Sequence, residues 1–153
     1  MRLRTAVFAF IALMPLSFAA AARLPVETVT IQTQGGARVF HMEIAADDAS
    51  RANGLMHRTH LARDAGMLFD FRTAVMTAFW MKDTVIPLDM LFVRPDGTIA
   101  SIAANAVPLS TAEIASPEPV RAVIEIKGGE AKALGIAPGD HVLAPIFPKS
   151  LLR

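Results

Sequence analysis

The chain has 153 residues, with 15 Lys and Arg against 14 Asp and Glu, 53% hydrophobic residues and no cysteine. That length suits one domain with a real core, and the lack of cysteine excludes disulfides, thiol catalysis, Fe–S clusters and thiolate zinc sites. Near-zero charge without a basic run excludes the electrostatic footprint that nucleic acid or an anionic membrane surface requires.

The first residues read as a targeting segment. Arg2 and Arg4 precede the apolar run Ala6 to Leu13, Pro15 and Ser17 interrupt it, and Ala19 to Ala22 supply small residues for cleavage after Ala22. The run is shorter than the roughly 20 apolar residues of a membrane span, which argues against a retained anchor. The expectation is a signal peptide over 1–22 and a single exported domain over 23–153, in the periplasm or cell envelope, monomeric and without a later membrane span. Residues 1–22 hold two arginines and no acid. Removing them leaves 13 basic against 14 acidic residues, a net charge of −1.

Val26 to Thr33 alternates Val29 and Ile31 with Thr28, Thr30 and Gln32, the period-2 pattern of a half-buried strand. Gln34-Gly35-Gly36 is a turn signal and Arg38 to Ala45 alternates again, so the two runs predict an N-terminal hairpin. Asp47-Asp48 caps a predicted short helix over Ala49 to Met56, which places Arg51 and Arg58 two turns apart on one stripe with Gly54 between them. Glycine in a helix interior costs about 1 kcal/mol over alanine, so Gly54 implies close approach of a backbone or a ligand.

After a polar connection over His57 to Asp64, Met67 to Phe71 predicts a strand with Met67, Phe69 and Phe71 on one face. Arg72 to Ala74 reads as a loop, and the apolar, aromatic run Val75 to Met81 as a further strand. Met90 to Arg94 and Thr98 to Ala103 form a hairpin about Pro95-Asp96-Gly97, where proline presets φ and glycine accepts the positive φ beyond it. Pro108 to Pro119 is an irregular loop. Val120 to Lys127 is a strand, Glu130 to Leu134 a short helix closed by Gly135, and His141 to Ala144 the last strand. The tail from Pro145 reads as peripheral. Seven or eight short strands with one or two short helices predict an α+β domain of mainly antiparallel strands, a small closed or half-open β-barrel.

Three blocks carry a family resemblance: Gly54-Leu55-Met56-His57-Arg58, Gly66-Met67-Leu68-Phe69, and Phe79-Trp80-Met81-Lys82-Asp83-Thr84 with Pro87-Leu88-Asp89. Together with Ile124 to Gly129 and Gly135 to Asp140, they make the chain resemble the DUF192 family, small and often exported bacterial and archaeal proteins of unassigned function. The resemblance implies a compact β-rich fold and no particular chemistry. The family usually has Asn where this chain has Asp83, which adds a charge and removes a donor.

The candidate site is polar. Lys82, Asp83 and Asp89 lie near Trp80, and Asp89 shares a strand face with Leu91 and Val93, so its carboxylate points inward. With Arg58 as a partner, these residues predict a grip on a small polar or charged envelope ligand by a non-catalytic accessory module. Two alternatives remain open. Asp89 and Glu125 could act as paired carboxylates of an envelope hydrolase, though Glu125 also reads as an ordinary half-exposed strand glutamate. Six methionines (Met42, Met56, Met67, Met76, Met81, Met90) in an exported chain raise copper handling, but their scatter through apolar strands fits core packing better. His57 and His60, with Asp64, have weak metal-ligand spacing. No metal, cofactor or catalytic residue is assigned.

Overall fold

The computed structural model describes residues 23–147; the expected signal peptide, residues 1–22, lies outside the described residues. The strands are β1 (Val26–Thr33), β2 (Gly36–Ala45), β3 (Ala65–Val75), β4 (Ala78–Phe79), β5 (Leu88–Val93), β6 (Ile99–Ala106), β7 (Ile114–Ala115), β8 (Val120–Lys127) and β9 (His141–Leu143). Two helices, α1 (Asp48–Asn53) and α2 (Glu130–Leu134), complete the fold.

Seven strands form one sheet in the order β6-β5-β8-β3-β2-β1-β9, and β4 and β7 make a separate two-stranded ribbon. The pairings are antiparallel except β2 with β3, whose connection runs through α1. Parallel neighbours need such a crossover. The sheet curls into a half-barrel. Its two edges meet where Thr98 bridges His141, with Ile99 N donating to Asp140 O at 2.9 Å and Val142 N to Gly97 O at 2.8 Å.

Alternation along the strands divides the apolar residues between the two faces. Val29, Ile31, Phe40, Leu91, Ile124, Ile126 and Val142 fill the inside of the curl. Met67, Phe69, Met90, Phe92 and Val123 lie on the outer face, under Leu55, Leu61 and Met81. The central strands are therefore buried on both sides, and all of Leu88–Val93 is inaccessible. Among the described residues no helix is long and apolar enough to cross a membrane.

Several expectations are corrected. Helix α1 stops at Asn53 instead of Met56, because Gly54 takes φ 50° and ψ −137°, a conformation accessible essentially to glycine alone. Gly54 is thus a helix terminator laid against the Phe69 ring, and Arg51 and Arg58 do not share a helical stripe. Residues 72–74, expected as a loop, continue β3 past an irregularity in its pairing with β8. The expected strand Val75 to Met81 is broken up: Val75 ends β3, Ala78 and Phe79 form β4, and the chain then turns over Met81–Thr84 with Thr84 N bonded to Met81 O. The tail is not wholly peripheral: Phe147 is buried and packs in the inner cluster.

Candidate functional site

The polar residues of the Phe79–Asp89 stretch do not converge. Asp89 is fully buried. Its Oδ1 accepts from Asn105 N at 2.7 Å and Gly129 N at 3.0 Å, and its Oδ2 accepts from Ala131 N at 2.9 Å. The carboxylate is thereby spent on tying the ends of β6 and α2 to β5, three charge-assisted bonds that satisfy buried backbone donors. Lys82 and Asp83 are exposed. Asp83 has φ 55°, and its carbonyl accepts from His57 N at 2.8 Å. Asparagine and aspartate tolerate that left-handed conformation best among non-glycine residues, so Asp83 and an asparagine in its place would be backbone-equivalent.

Arg58 binds Glu43 in a bidentate pair, at 2.5 and 2.7 Å, at the wall of a cavity of about 880 Å³ that also involves Arg23, Pro25 and Asp47. That bond raises the Arg58 pKa further above its ordinary value. Arg51 turns toward β3, donating to Asp70 O at 2.8 Å, pairing with Asp48 and lying over the Phe71 ring at 5.9 Å. Asp70 is itself paired with Arg121. The methionines are divided between the faces, Met42 in the inner cluster and Met67, Met81 and Met90 in the outer one. Among the described residues no three His, Asp or Glu side chains are grouped to hold a metal ion.

Asp89 and Glu125 lie on opposite faces of the sheet. Asp89 is in register with Ile126, while Glu125 is opposite Met90 on β5 and Met67 on β3, so Glu125 projects into the outer layer. The two carboxyls share no cleft.

The geometry instead brings together a set of residues around Glu125. A cavity of about 300 Å³ opens between α1 with its following turn, β3 and the Thr77–Trp80 segment, at the lower end of the range for small-molecule sites. Its walls are Leu55, Met56, Phe69, Phe71, Phe79 and Trp80, with Arg51 and Thr84 also contributing and Glu125 in its lining. The rings interlock edge to face: Phe69 and Phe79 have centroids 5.0 Å apart at 89°, Phe71 and Phe79 6.4 Å apart at 80°. Such pairs hold each other in place. Trp80, 51% exposed, stands at the mouth.

Glu125 is 4% exposed. Burial alone pushes its carboxyl up to about 8, with no charged neighbour and no hydrogen bond acting on it. A carboxyl in an apolar site without a cation takes up a proton instead of holding a charge. The group is therefore mainly neutral at pH 7, and its open side is the cavity.

Glu125, expected at a half-exposed place in its strand, is buried. Two signals pointed to this. Glu125 interrupts the run Val123 to Ile126 in a strand buried on both faces, and Met67, Phe69 and Phe71 share the face it occupies. The contribution of α1 and of the Thr77–Trp80 segment was not readable, since both depend on long-range packing.

The DUF192 family model, described as "Uncharacterized ACR", matches residues 29–144. A solved structure from Sinorhizobium meliloti 1021, provisionally described as a transcription regulator, is 44% identical, with a TM-score of 0.79 over 81% of this chain and 97% of that one. A protein of unknown function from Novosphingobium aromaticivorans is 43% identical, with a TM-score of 0.78 over 87% of this chain and 91% of that one. No curated protein matches the chain. With the family model spanning 29–144, from the first strand through the last, the chain belongs to the DUF192 family.

Proposed function

We propose that the protein is an exported, non-catalytic binding module that takes a small, largely apolar ligand into the cavity above Glu125. The observation that carries this reading is the Glu125 carboxyl, buried in an aromatic pocket without a partner. An unpaired buried carboxyl is costly to a fold, and a ligand with one polar end would satisfy it while its body covers the rings. The site differs from the one expected around Lys82, Asp83, Asp89 and Arg58, because those side chains do not line this cavity. Export is supported by the basic, apolar and alanine-rich order of residues 1–22. The net charge of −1 after their removal favours a small molecule over nucleic acid as partner.

Trp80 makes the test direct, since it is the single tryptophan of a chain without tyrosine and stands in the pocket wall. A panel of neutral, cationic and anionic aromatic fragments is titrated while Trp80 emission is recorded. At least one class is expected to shift the emission saturably. Ala52→Phe, at an exposed lining position of α1, should weaken that binding about tenfold without unfolding the protein. If no fragment perturbs Trp80 up to millimolar concentration, or the Ala52→Phe variant binds equally well, the reading is wrong.

A further inference from the structure

We propose that the ligand of this pocket is an organic amine, bound as its ammonium against the Glu125 carboxylate with its apolar body along Phe69, Phe79 and Trp80. The inference rests on the reading of the cavity as a small-ligand site and names the chemistry of what enters it.

Three features select an ammonium. First, the carboxyl lacks a cation. The strands beside Glu125 present Met67 and Phe69 from β3 and Met90 and Phe92 from β5, and from the 81–84 turn comes Thr84, whose hydroxyl donates to Lys82 O. Arg51 is the other charged residue in the cavity lining, and it is held by Asp48 and by the Asp70 carbonyl. Second, the walls are aromatic, and ring faces attract a desolvated cation as they do not attract an anion. Third, an alcohol or amide would leave the carboxyl an uncharged donor, and an organic acid would set a second carboxyl against it, whereas an ammonium offers both opposite charge and hydrogen-bond donors.

The proton balance distinguishes these cases. With its carboxyl pushed up to about 8 by burial, free Glu125 is mainly protonated at pH 7. An incoming ammonium ionises it, so the complex forms as carboxylate and ammonium with one proton released to solvent. Amine affinity therefore rises with pH until about 8 and levels above it, by roughly fiftyfold between pH 6 and pH 8.

The experiment compares 2-phenylethylamine, 2-phenylethanol and 3-phenylpropionate by titration calorimetry at pH 6, 7 and 8, in phosphate and in ACES, two buffers that take up protons across that range with different heats. The amine stays an ammonium throughout that range. The expected result is tightest binding by the amine at pH 8, a rise with pH on the scale above, and nearly one proton released per amine at pH 6. E125Q should lose amine affinity at least tenfold and keep any affinity for the alcohol. Proton release by the unsubstituted protein carries the test even if the variant fails to fold. Amine binding without proton release, or none of the three binding, overturns the inference. Alcohol binding in preference to amine overturns it too, yet leaves the pocket a small-ligand site; the broader fragment panel judges that reading separately.

Discussion

Replacing Glu125 by glutamine should change how stability depends on pH, independently of any ligand. Burial holds the native carboxyl at about 8 against an ordinary value of 4.5. Below pH 4.5 it is protonated in both folded and unfolded chains and contributes no pH dependence. Between 4.5 and 8 the folded chain keeps a proton that the unfolded chain has released, so stability falls as pH rises. Above 8 both states are ionised and the loss is complete. At about 1.4 kcal/mol per pH unit the full window sums to roughly 5 kcal/mol, and water entering the cavity lowers that ceiling. A glutamine side chain has nearly the same shape and cannot ionise, so its own burial cost is the same at every pH.

Urea denaturation of both proteins at pH 5, 6.5 and 8 isolates the effect, since all other titrating groups cancel in the difference. The wild type should lose about 2 kcal/mol or more relative to E125Q between pH 5 and pH 8. A difference constant across that range would mean that Glu125 is ionised or paired in the native state, and the account of the pocket floor would fail.

Other substitutions probe the frame around the site. Asp89→Asn keeps one acceptor oxygen for three backbone donors, and should cost roughly 2–3 kcal/mol in urea denaturation; a loss below about 0.5 kcal/mol would refute the tying role. Gly66→Ala would drive a Cβ into the Glu125 carbonyl oxygen and set it 2.6 Å from Met42 Sδ. It should destabilise by about 3 kcal/mol or leave no folded protein, whereas an unchanged melting temperature would contradict the packing. Asp83→Asn should alter stability by less than about 0.5 kcal/mol, and Asp83→Val, β-branched at φ 55°, should lose about 1–2 kcal/mol. Equal melting temperatures for those two variants would remove the backbone explanation.

Strand and hairpin placement was legible wherever local chemistry dictated it. The alternation in Val26–Thr33, the Pro95-Asp96-Gly97 turn and the Gly135 helix stop each rest on neighbours within a few residues, and each is found at its expected place. The errors fall where a long-range contact overrides the local pattern. Residues 75–81 have a strand's composition, but the Thr77 amide is turned to the Ser116 hydroxyl and Met81 N to Ser110 O, which breaks the run after two paired residues. Phe147 looked peripheral because nothing nearby in sequence shows that it packs on the half-barrel.

The surroundings of the candidate residues were not legible for a related reason. A carboxyl turned into an apolar layer was the correct signal, but Asp89 meets the inner cluster and Glu125 the outer one, and sequence cannot separate a carboxyl that meets three amide donors from one that meets none. Asp89 lies where the strand ends bring free N–H groups to it. Glu125 lies at mid-strand, where its neighbours' amides are already used in the ladders of β3 and β5. Position within the sheet thus decides the surroundings: a carboxyl at the strand end becomes a tie, and one flanked on both sides by paired strands meets no backbone donor. The Phe79–Asp89 stretch serves that second carboxyl. Phe79 and Trp80 wall the cavity, and the Met81–Thr84 turn is bonded to His57 on one side and to Leu109 and Ser110 on the other, which fixes the rim.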